Sequence, residues 1–542
     1  MPDRRTIPAP PLRTHACAAP PRLRGAALWL MLSAACLAGC GTSVGQYIRS
    51  GFKVGPNHCP CKPAVARCWI DEDDPRLIVA APPLAAWWRV FNDPVLDSLV
   101  QTAYRQNLSL REAGFRVLEA RANRDLVAGT LLPQSEVASG SYGHERLSLE
   151  TGIESGGGRG LSGPGRNFGV WTSGAQVAWE LDFWGRFRRS VEAADAQLDA
   201  SVHNQRDVLV ILVSDVASVY VEIRTLEQRL RCAASNVHFQ RGSLAIAEAK
   251  LEEGRSSRLD VAQAVTSLAR TEAIVPELEV QLRHAQNRLC VLLGMPPQDM
   301  RQCLPGGGPI PRPPVEVAVG IPADLLRRRP DVRRAEREVA AQCARIGIAE
   351  TELYPAFRIN GSIFVQANQF NDLFRPTALA NNFGPSFTWN ILNYGPIQSS
   401  IRVEQARLKQ EVAQYQAAVL NANREVEDAI VAFLRAQRRA RILRKGVRAA
   451  IVARDLTDDL YQAGKVEFGQ VFFAEYFLVM QQDDLARAEG DIAQGLIQIH
   501  RALGGGWQVC PDEHFAISHI PPPPGPPIEE IQPGTIDQSA PR

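Results

Sequence analysis

Three places in this 542-residue chain bring chemically capable side chains close together. Glu180 and Asp182 stand in W-E-L-D-F-W-G-R, Trp179 to Arg186. A carboxylate pair is the equipment of glycoside hydrolysis. No further acid, base or nucleophile is gathered around this one, and helix-start capping or a lumen charge suits it better. His58, Cys59, Cys61 and Cys68 form the one cysteine cluster, in H-C-P-C-K-P and just beyond. Such ligands suit zinc or copper; in an oxidising envelope a disulfide or free thiols are the plainer outcome. L-L-R-R-R-P-D-V (Leu325 to Val332) offers three arginines before a helix. Lys plus Arg number 60 against 58 Asp plus Glu, so the basic excess of a nucleic-acid protein is absent. The arginines read as polar contacts to neighbouring structure. No catalytic or metal site emerges, and no enzyme is expected.

A fourth place is Cys40. Five arginines, from Arg4 to Arg24, precede an apolar run from Gly25 to Leu37 that ends in L-A-G-C. The run is short of the roughly 20 residues a spanning helix needs and has the length of a signal-peptide core. The ending resembles a bacterial lipobox. Residues 1–39 then form a lipoprotein signal peptide, and Cys40 carries a diacylglycerol and an N-acyl chain, an anchor that does not span. No other cofactor is expected.

The elements that position these residues repeat. W-E-L-D-F-W-G-R is echoed by W-N-I-L-N-Y-G-P, Trp389 to Pro396. Gly185 and Gly395, Gly254 and Gly464, and Leu293 and Leu503 all stand 210 positions apart. One offset at separate sites marks an internal duplication. Leu209, Leu212, Val216, Val219, Ile223, Leu226, Leu230, Ala233 and Val237 step by 3 and 4. Their counterparts 210 positions on, from Val419 to Val447, are apolar as well. A step averaging about 3.5 is a coiled-coil seam. The proline-free stretches 187–253 and 399–463 predict helices of about 100 Å at ~1.5 Å per residue. Shorter helices are expected at 94–132, 259–293, 322–353 and 471–503, with Pro276 a kink or irregular turn in one of them.

Between 133 and 179, and between 355 and 389, the helical period gives way to alternation. Phe357, Ile359, Gly361 and Ile363 alternate with Arg358, Asn360 and Ser362, and Phe364 breaks the pattern. Period two with one apolar face predicts strands. Trp179 and Trp389 at strand ends fit an interfacial aromatic girdle. Loops are expected around Gly156–Gly165 and around Asn381–Asn382. Four strands cannot close a spanning barrel, which needs about eight, and an open edge in lipid leaves backbone groups unsatisfied. Three copies give twelve strands.

These residues resemble the outer-membrane factor family, the TolC-like exit ducts, and most closely its lipoprotein branch similar to OprM and NodT. The matching text is V-G-P-N (Val54 to Asn57), W-W-R-V-F-N-D-P-V-L (Trp87 to Leu96), W-E-L-D-F-W-G-R, and I-P-A-D-L-L-R-R-R-P-D-V (Ile321 to Val332) with Ala335 and Glu336. The resemblance implies a mainly α homotrimer, with a twelve-stranded outer-membrane β-barrel continued by a coiled-coil helical barrel in the periplasm. It implies a lipid-anchored segment at 40–92, repeats at 93–304 and 322–508 with hairpins near 134–179 and 356–389, a linker at 305–321, and a disordered Pro-rich tail at 509–542. The function implied is a passive efflux duct for small molecules, driven by an inner-membrane pump, often of the resistance-nodulation-division class, through a periplasmic adaptor (membrane fusion protein). The partners are outer-membrane lipid, adaptor and pump, without nucleic acid. Alternatives are a type I protein-secretion duct and a non-conducting structural lipoprotein. The periplasmic tips, with adaptor docking, fall at Gly254, Arg255, Arg258 and Leu259 and at Gly464, Lys465 and Phe468. Where some family members narrow the pore with an acid and an apolar residue one turn earlier, this chain has Phe473 and Gly469. A Phe ring would close the tip by dewetting, with Glu467 and Glu475 nearby as acids; the other reading of Phe472 and Phe473 is inter-helix packing.

Overall fold

The computed structural model describes residues 42–60, 63, 65–80, 84–146, 167–300, 304, 308–324 and 328–508. Cys40 and the signal segment, Cys61, the first hairpin loop, Leu325 to Arg327 and the tail from residue 509 lie outside those residues. The helices are α1 (Val44–Arg49), α2 (Pro94–Gln106), α3 (Leu108–Gly129), α4 (Arg186–Glu252), α5 (Arg258–Leu292), α6 (Pro330–Thr351), α7 (Tyr394–Gln462) and α8 (Phe468–Ala502). The strands are β1 (Leu77–Ile78), β2 (Ser135–Arg146), β3 (Asn167–Glu180), β4 (Val317–Ala318), β5 (Ala356–Ala367) and β6 (Leu379–Thr388). The chain divides into two units. One holds the chain up to Asn57, Ala128–Val191 and Cys343–Gln405; the other holds His58–Val127, Glu192–Gln342 and the chain from Ala406.

The first unit is built on an antiparallel sheet in the order β2-β3-β5-β6. Asn381 and Asn382 pair with Ile363 and Ser362, so they lie within β6 and not in the loop. The connection instead runs through residues 368–378 as two short 3-10 turns, Phe370–Phe374 and Pro376–Ala378. Phe364 breaks the alternation because small residues, Gly174 and Ala380, lie opposite it on the two neighbouring strands. The V-G-P-N stretch is pinned in this unit. Arg189, 2% exposed, donates to the carbonyls of Val54 (3.1 Å) and Gly55 (2.9 Å). A Cβ on Gly55 would come within 2.4 Å of the Gly347 Cα, so only glycine lets the segment lie this close to α6.

The second unit is helical, and its core is the two seams. Every seam residue from Leu209 to Val237 and from Val419 to Val447 is buried, except Leu230, Ala436 and Leu443, which pack half-buried against the same cluster. The long helices have 67 and 69 residues. Pro276 lies inside α5 without ending it.

Two helices differ from expectation. The stretch 94–132 is two helices, broken at Asn107, whose ψ of 128° is extended. The helix expected from 322 begins at Pro330, after a 3-10 turn over Pro322–Asp324. A proline at the first helical position gives up an N–H that would have no partner there.

Candidate channel surfaces and their supports

Directly opposed residues of an antiparallel sheet share a face. Phe357 opposes Phe387, Ile359 opposes Pro385 and Trp179, and Val177 opposes Gly361. Trp171 opposes Tyr142, with ring centroids 4.5 Å apart. This face is therefore mainly apolar, with Glu136, Ser173 and Asn381 as polar members, and it is uncovered: Phe383 and Phe387 are 78% and 68% exposed. The other face carries Arg358, Asn360, Ser362, Gln176 and Thr172. On it Glu180 takes hydrogen bonds from Arg358 (2.9 and 3.1 Å), and Asn360 donates to Ser386 (2.8 Å). The two tryptophans sit at equivalent joints. The Trp179 indole donates to the Leu131 carbonyl (3.3 Å), and Trp389 donates to the Leu353 carbonyl (3.0 Å).

The joints are not identical. Gly185 has a φ of +85° just before α4, whereas Gly395 is already helical. Asp182 accounts for the difference: its carboxylate accepts from the backbone N–H groups of Phe187 (2.9 Å) and Arg188 (3.0 Å). It caps α4, satisfying donors the helix start leaves open. Glu180 and Asp182 are thus both occupied structurally, as expected.

His58 is half-buried, and burial followed by the Arg337 charge lowers its pKa. Cys59 and Cys68 are exposed free thiols. Among the described residues no three metal-ligating side chains come together, and Cys61 lies outside them.

The second unit holds both tip turns. Gly254 and Gly464 have φ of +71° and +72°. Behind them Arg255 N–H donates to the Lys250 carbonyl (2.8 Å) and Lys465 N–H to that of Leu460 (2.9 Å). These are glycine helix stops in the left-handed region, 210 positions apart. Arg255, Arg258, Leu259, Gly464 and Lys465 are exposed. Phe468 corrects the expectation. It is fully buried, edge-on to Tyr461 at 5.4 Å, in a cluster with Val471, Ala247 and Ala264. It holds the tip together and offers no surface for docking.

Of the constriction residues, Phe473 is 60% exposed, Glu467 is exposed and Gly469 is half-buried. Phe472 packs against the tip cluster, whereas Phe473 is exposed. Glu475 is not a pore acid. It is 4% exposed and accepts hydrogen bonds from Ser243 of α4 (2.7 Å) and Ser267 of α5 (3.2 Å). Burial pushes its pKa up, Asp458 adds to that, and the two serines and Arg454 oppose it.

The fold therefore favours protonated Glu475. Its contribution to stability is largest when protonated and is lost as pH rises through the raised folded pKa. Glu475→Gln should flatten this dependence. Hydrogen-exchange protection of 461–475, followed from pH 5 to 8, should fall with pH in the parent and stay level in the variant. Parallel slopes would show that Glu475 is not the titrating group.

A matched pair of junctions went unnoticed in the sequence. Asn107, at the break between α2 and α3, donates to the Leu292 carbonyl at the end of α5 (2.9 Å), and its side-chain oxygen accepts from Leu110 N–H (2.9 Å). Arg329 donates to the Ala502 carbonyl at the end of α8 (2.8 Å). Leu292 and Ala502 are 210 positions apart, and Asn107 and Arg329 are 222. The repeats solve one problem, the orphan carbonyls of a helix end, with different side chains. Pro133 and Pro355, just before the two hairpins, are likewise 222 positions apart, and applying that offset to polar residues just before helix starts would have found the pair. Two arginines of the three-arginine run are thereby accounted for, and Arg327 lies outside the described residues. Arg329 also forks onto Asp331 (3.0 and 2.6 Å) and pairs with Glu425 (2.8 Å), while Arg328 pairs with Asp324 (2.8 Å).

The family model described as "Outer membrane efflux protein" matches residues 99–295 and 321–505. Nodulation protein T of Rhizobium leguminosarum bv. trifolii is 30% identical over 467 residues, 84% of this chain and 95% of that protein. The pyoverdine export outer membrane protein OpmQ of Pseudomonas putida is 28% identical over 422 residues, 78% of this chain and 88% of that protein. The solved outer-membrane channel OprN superposes with a TM-score of 0.76 at 30% identity, covering 84% of this chain and all of that one. With its duplicated helix–hairpin–helix units and a sheet bearing one apolar face, the chain belongs to the outer membrane efflux protein family.

Proposed function

We propose that three copies of this outer-membrane protein close their sheets into one twelve-stranded barrel and form a passive exit duct. The observation that carries the reading is the sheet. It is mainly apolar on one face and mainly polar on the other, and β2 and β6 each have one neighbour among the described residues. An uncovered apolar face suits lipid, but open edges there leave backbone donors and acceptors unsatisfied. Pairing β2 of one copy with β6 of the next removes every edge and turns the Arg358 face into a polar lumen. Cys40 anchors each chain through its lipid. The exposed arginines and lysine of the tip turns and Leu259 receive a periplasmic adaptor, which links the duct to an inner-membrane pump. Phe473 narrows the tip by dewetting, with Gly469 and Glu467 beside it. The cargo is a small molecule and the duct does no chemistry.

The protein mass of the detergent-extracted particle, by light scattering with detergent subtracted, should be three chains. Planar-bilayer conductance should follow. A monomer surviving gentle extraction would refute the closed barrel, and trimers that never conduct would favour the structural lipoprotein.

A further inference from the structure

The Pro-rich segment from Gly308 to Val315 is tied at both ends. Arg231 donates to the Gly308 carbonyl (3.2 Å) and Gln437 to the Val315 carbonyl (3.1 Å). Between this segment and α4, α7 and α8 lies a groove of about 320 Å³. Its walls are apolar at Ile310, Val315 and Ile492, and basic at Arg312, Arg441 and Arg444. Glu489 is the one acid there and is taken by Arg444 (2.9 Å). Arg312 and Arg441 are exposed and make no ion pair among the described residues. Arg438 and Lys445 extend the same cationic stretch of α7. A groove with two idle guanidinium groups between aliphatic walls is built for an acidic peptide with aliphatic flanks.

The chain carries such a peptide. Residues 509–542 include Asp512, Glu513, Glu529, Glu530 and Asp537 against one arginine, Arg542. The acid pair sits in I-E-E-I, Ile528 to Ile531, directly after P-P-P-P-G-P-P. We propose that Ile528–Ile531 of the tail seats in this groove of its own chain. Glu529 and Glu530 face Arg312 and Arg441, and the two isoleucines lie on the aliphatic walls.

Reach is ample. Glu489 lies 13 residues before the end of α8 at Ala502, or about 20 Å at ~1.5 Å per residue. Gln508 and Glu529 are 21 residues apart, about 65 Å at ~3.1 Å per residue. The prolines lower the conformational entropy lost on seating, and tethering keeps the effective concentration high.

The test is site-specific photo-cross-linking in the full-length protein in its membrane, with benzoylphenylalanine in place of Gln532. Cross-links should run at the mass of one chain and map to 308–315 or 437–444. Arg312→Glu with Arg441→Glu should cut the yield at least tenfold, and adding Glu529→Arg with Glu530→Arg should restore it. Glu529→Gln with Glu530→Gln, which leaves the groove untouched, should also cut the yield. Cross-links to other surfaces, to a second copy or to another protein, or yields indifferent to charge, would overturn the proposal.

Discussion

Replacing Arg329 by Met should lower stability by about 3–5 kcal/mol, the usual loss when one partner of a buried charge network is removed. Arg329 is 8% exposed and bonds to Asp331, Glu425 and the Ala502 carbonyl at the end of α8. Met fills the space, leaves the Ala502 carbonyl without its Arg329 donor, and leaves the Asp331 carboxylate with the Val332 N–H bond (2.9 Å) in place of the guanidinium fork. Arg329→Lys should recover little, because a point charge cannot fork onto a carboxylate while reaching a carbonyl.

The pH dependence should also change sign. Burial pushes the Asp331 pKa up, but the Arg329 hydrogen bonds and charge outweigh it and hold the pKa below its ordinary value. In the parent this contribution is present above the unfolded pKa and is lost as pH falls through the lowered folded one. In Arg329→Met burial acts against weaker opposition, the folded pKa rises, and acid should stabilise the variant relative to neutral pH. Urea midpoints of the extracted protein between pH 3 and 7 test both claims. A variant within about 1 kcal/mol of the parent would mean that the junction is supported elsewhere.

The equivalent junction of the first repeat should be as sensitive, through backbone in place of charge. Gly294 has a φ of +73°, and a Cβ there would lie 2.3 Å from the Gln106 carbonyl oxygen. Gly294→Ala meets two penalties. The left-handed backbone costs about 1 kcal/mol for a residue with a Cβ. Forcing α5 away from the end of α2 adds roughly 1–3 kcal/mol more. Gly254 separates the two effects: its φ of +71° is nearly the same, yet nothing lies within 4 Å of a Cβ there. Gly254→Ala should therefore show the backbone term alone. Gly504, with φ of +72° and the Arg329 Cα 3.1 Å from a Cβ, should fall between them. Thermal or urea unfolding of the three variants gives the ranking, and equal losses at Gly254 and Gly294 would sink the steric part.

His500 shows how far the interior departs from what side-chain type suggests. It is 4% exposed, stacked on Trp87 with ring centroids 5.1 Å apart, and burial lowers its pKa to about 4. The histidine thus serves as a neutral aromatic packing element between α8 and the W-W-R-V-F-N-D-P stretch.

Much of this architecture stands in the linear pattern, because its causes are local. The seams from Leu209 and Val419 follow from a 3- and 4-residue spacing that only a helix places on one side. The strands at 357–363 follow from a period of two. The tip glycines follow from the need for positive φ at a helix stop. The repeat at 210 positions set the seams and the tip glycines twice, and the structure agrees at Gly254 and Gly464 and at Gly294 and Gly504. Asp182 was legible for the same reason, as a helix start needs a cap.

What spacing could not supply was which polar or aromatic side chain meets which partner from a distant part of the chain. Helical period is alike for a buried and an exposed phenylalanine, so only the packing of α4 and α5 against α8 buried Phe468 and left Phe473, five positions on, exposed. Glu475 became a buried acid only because Ser243 and Ser267 converge on it from two other helices. The break at Asn107 and the fork at Arg329 exist because the ends of α5 and α8 arrive beside them with carbonyls to satisfy. The sequence by itself determined the elements, their duplication and the faces they present, since these arise from neighbours within one turn or one pleat. Tertiary structure alone decided which of those faces are filled, because burial and hydrogen-bond partnership depend on residues more than a hundred positions away.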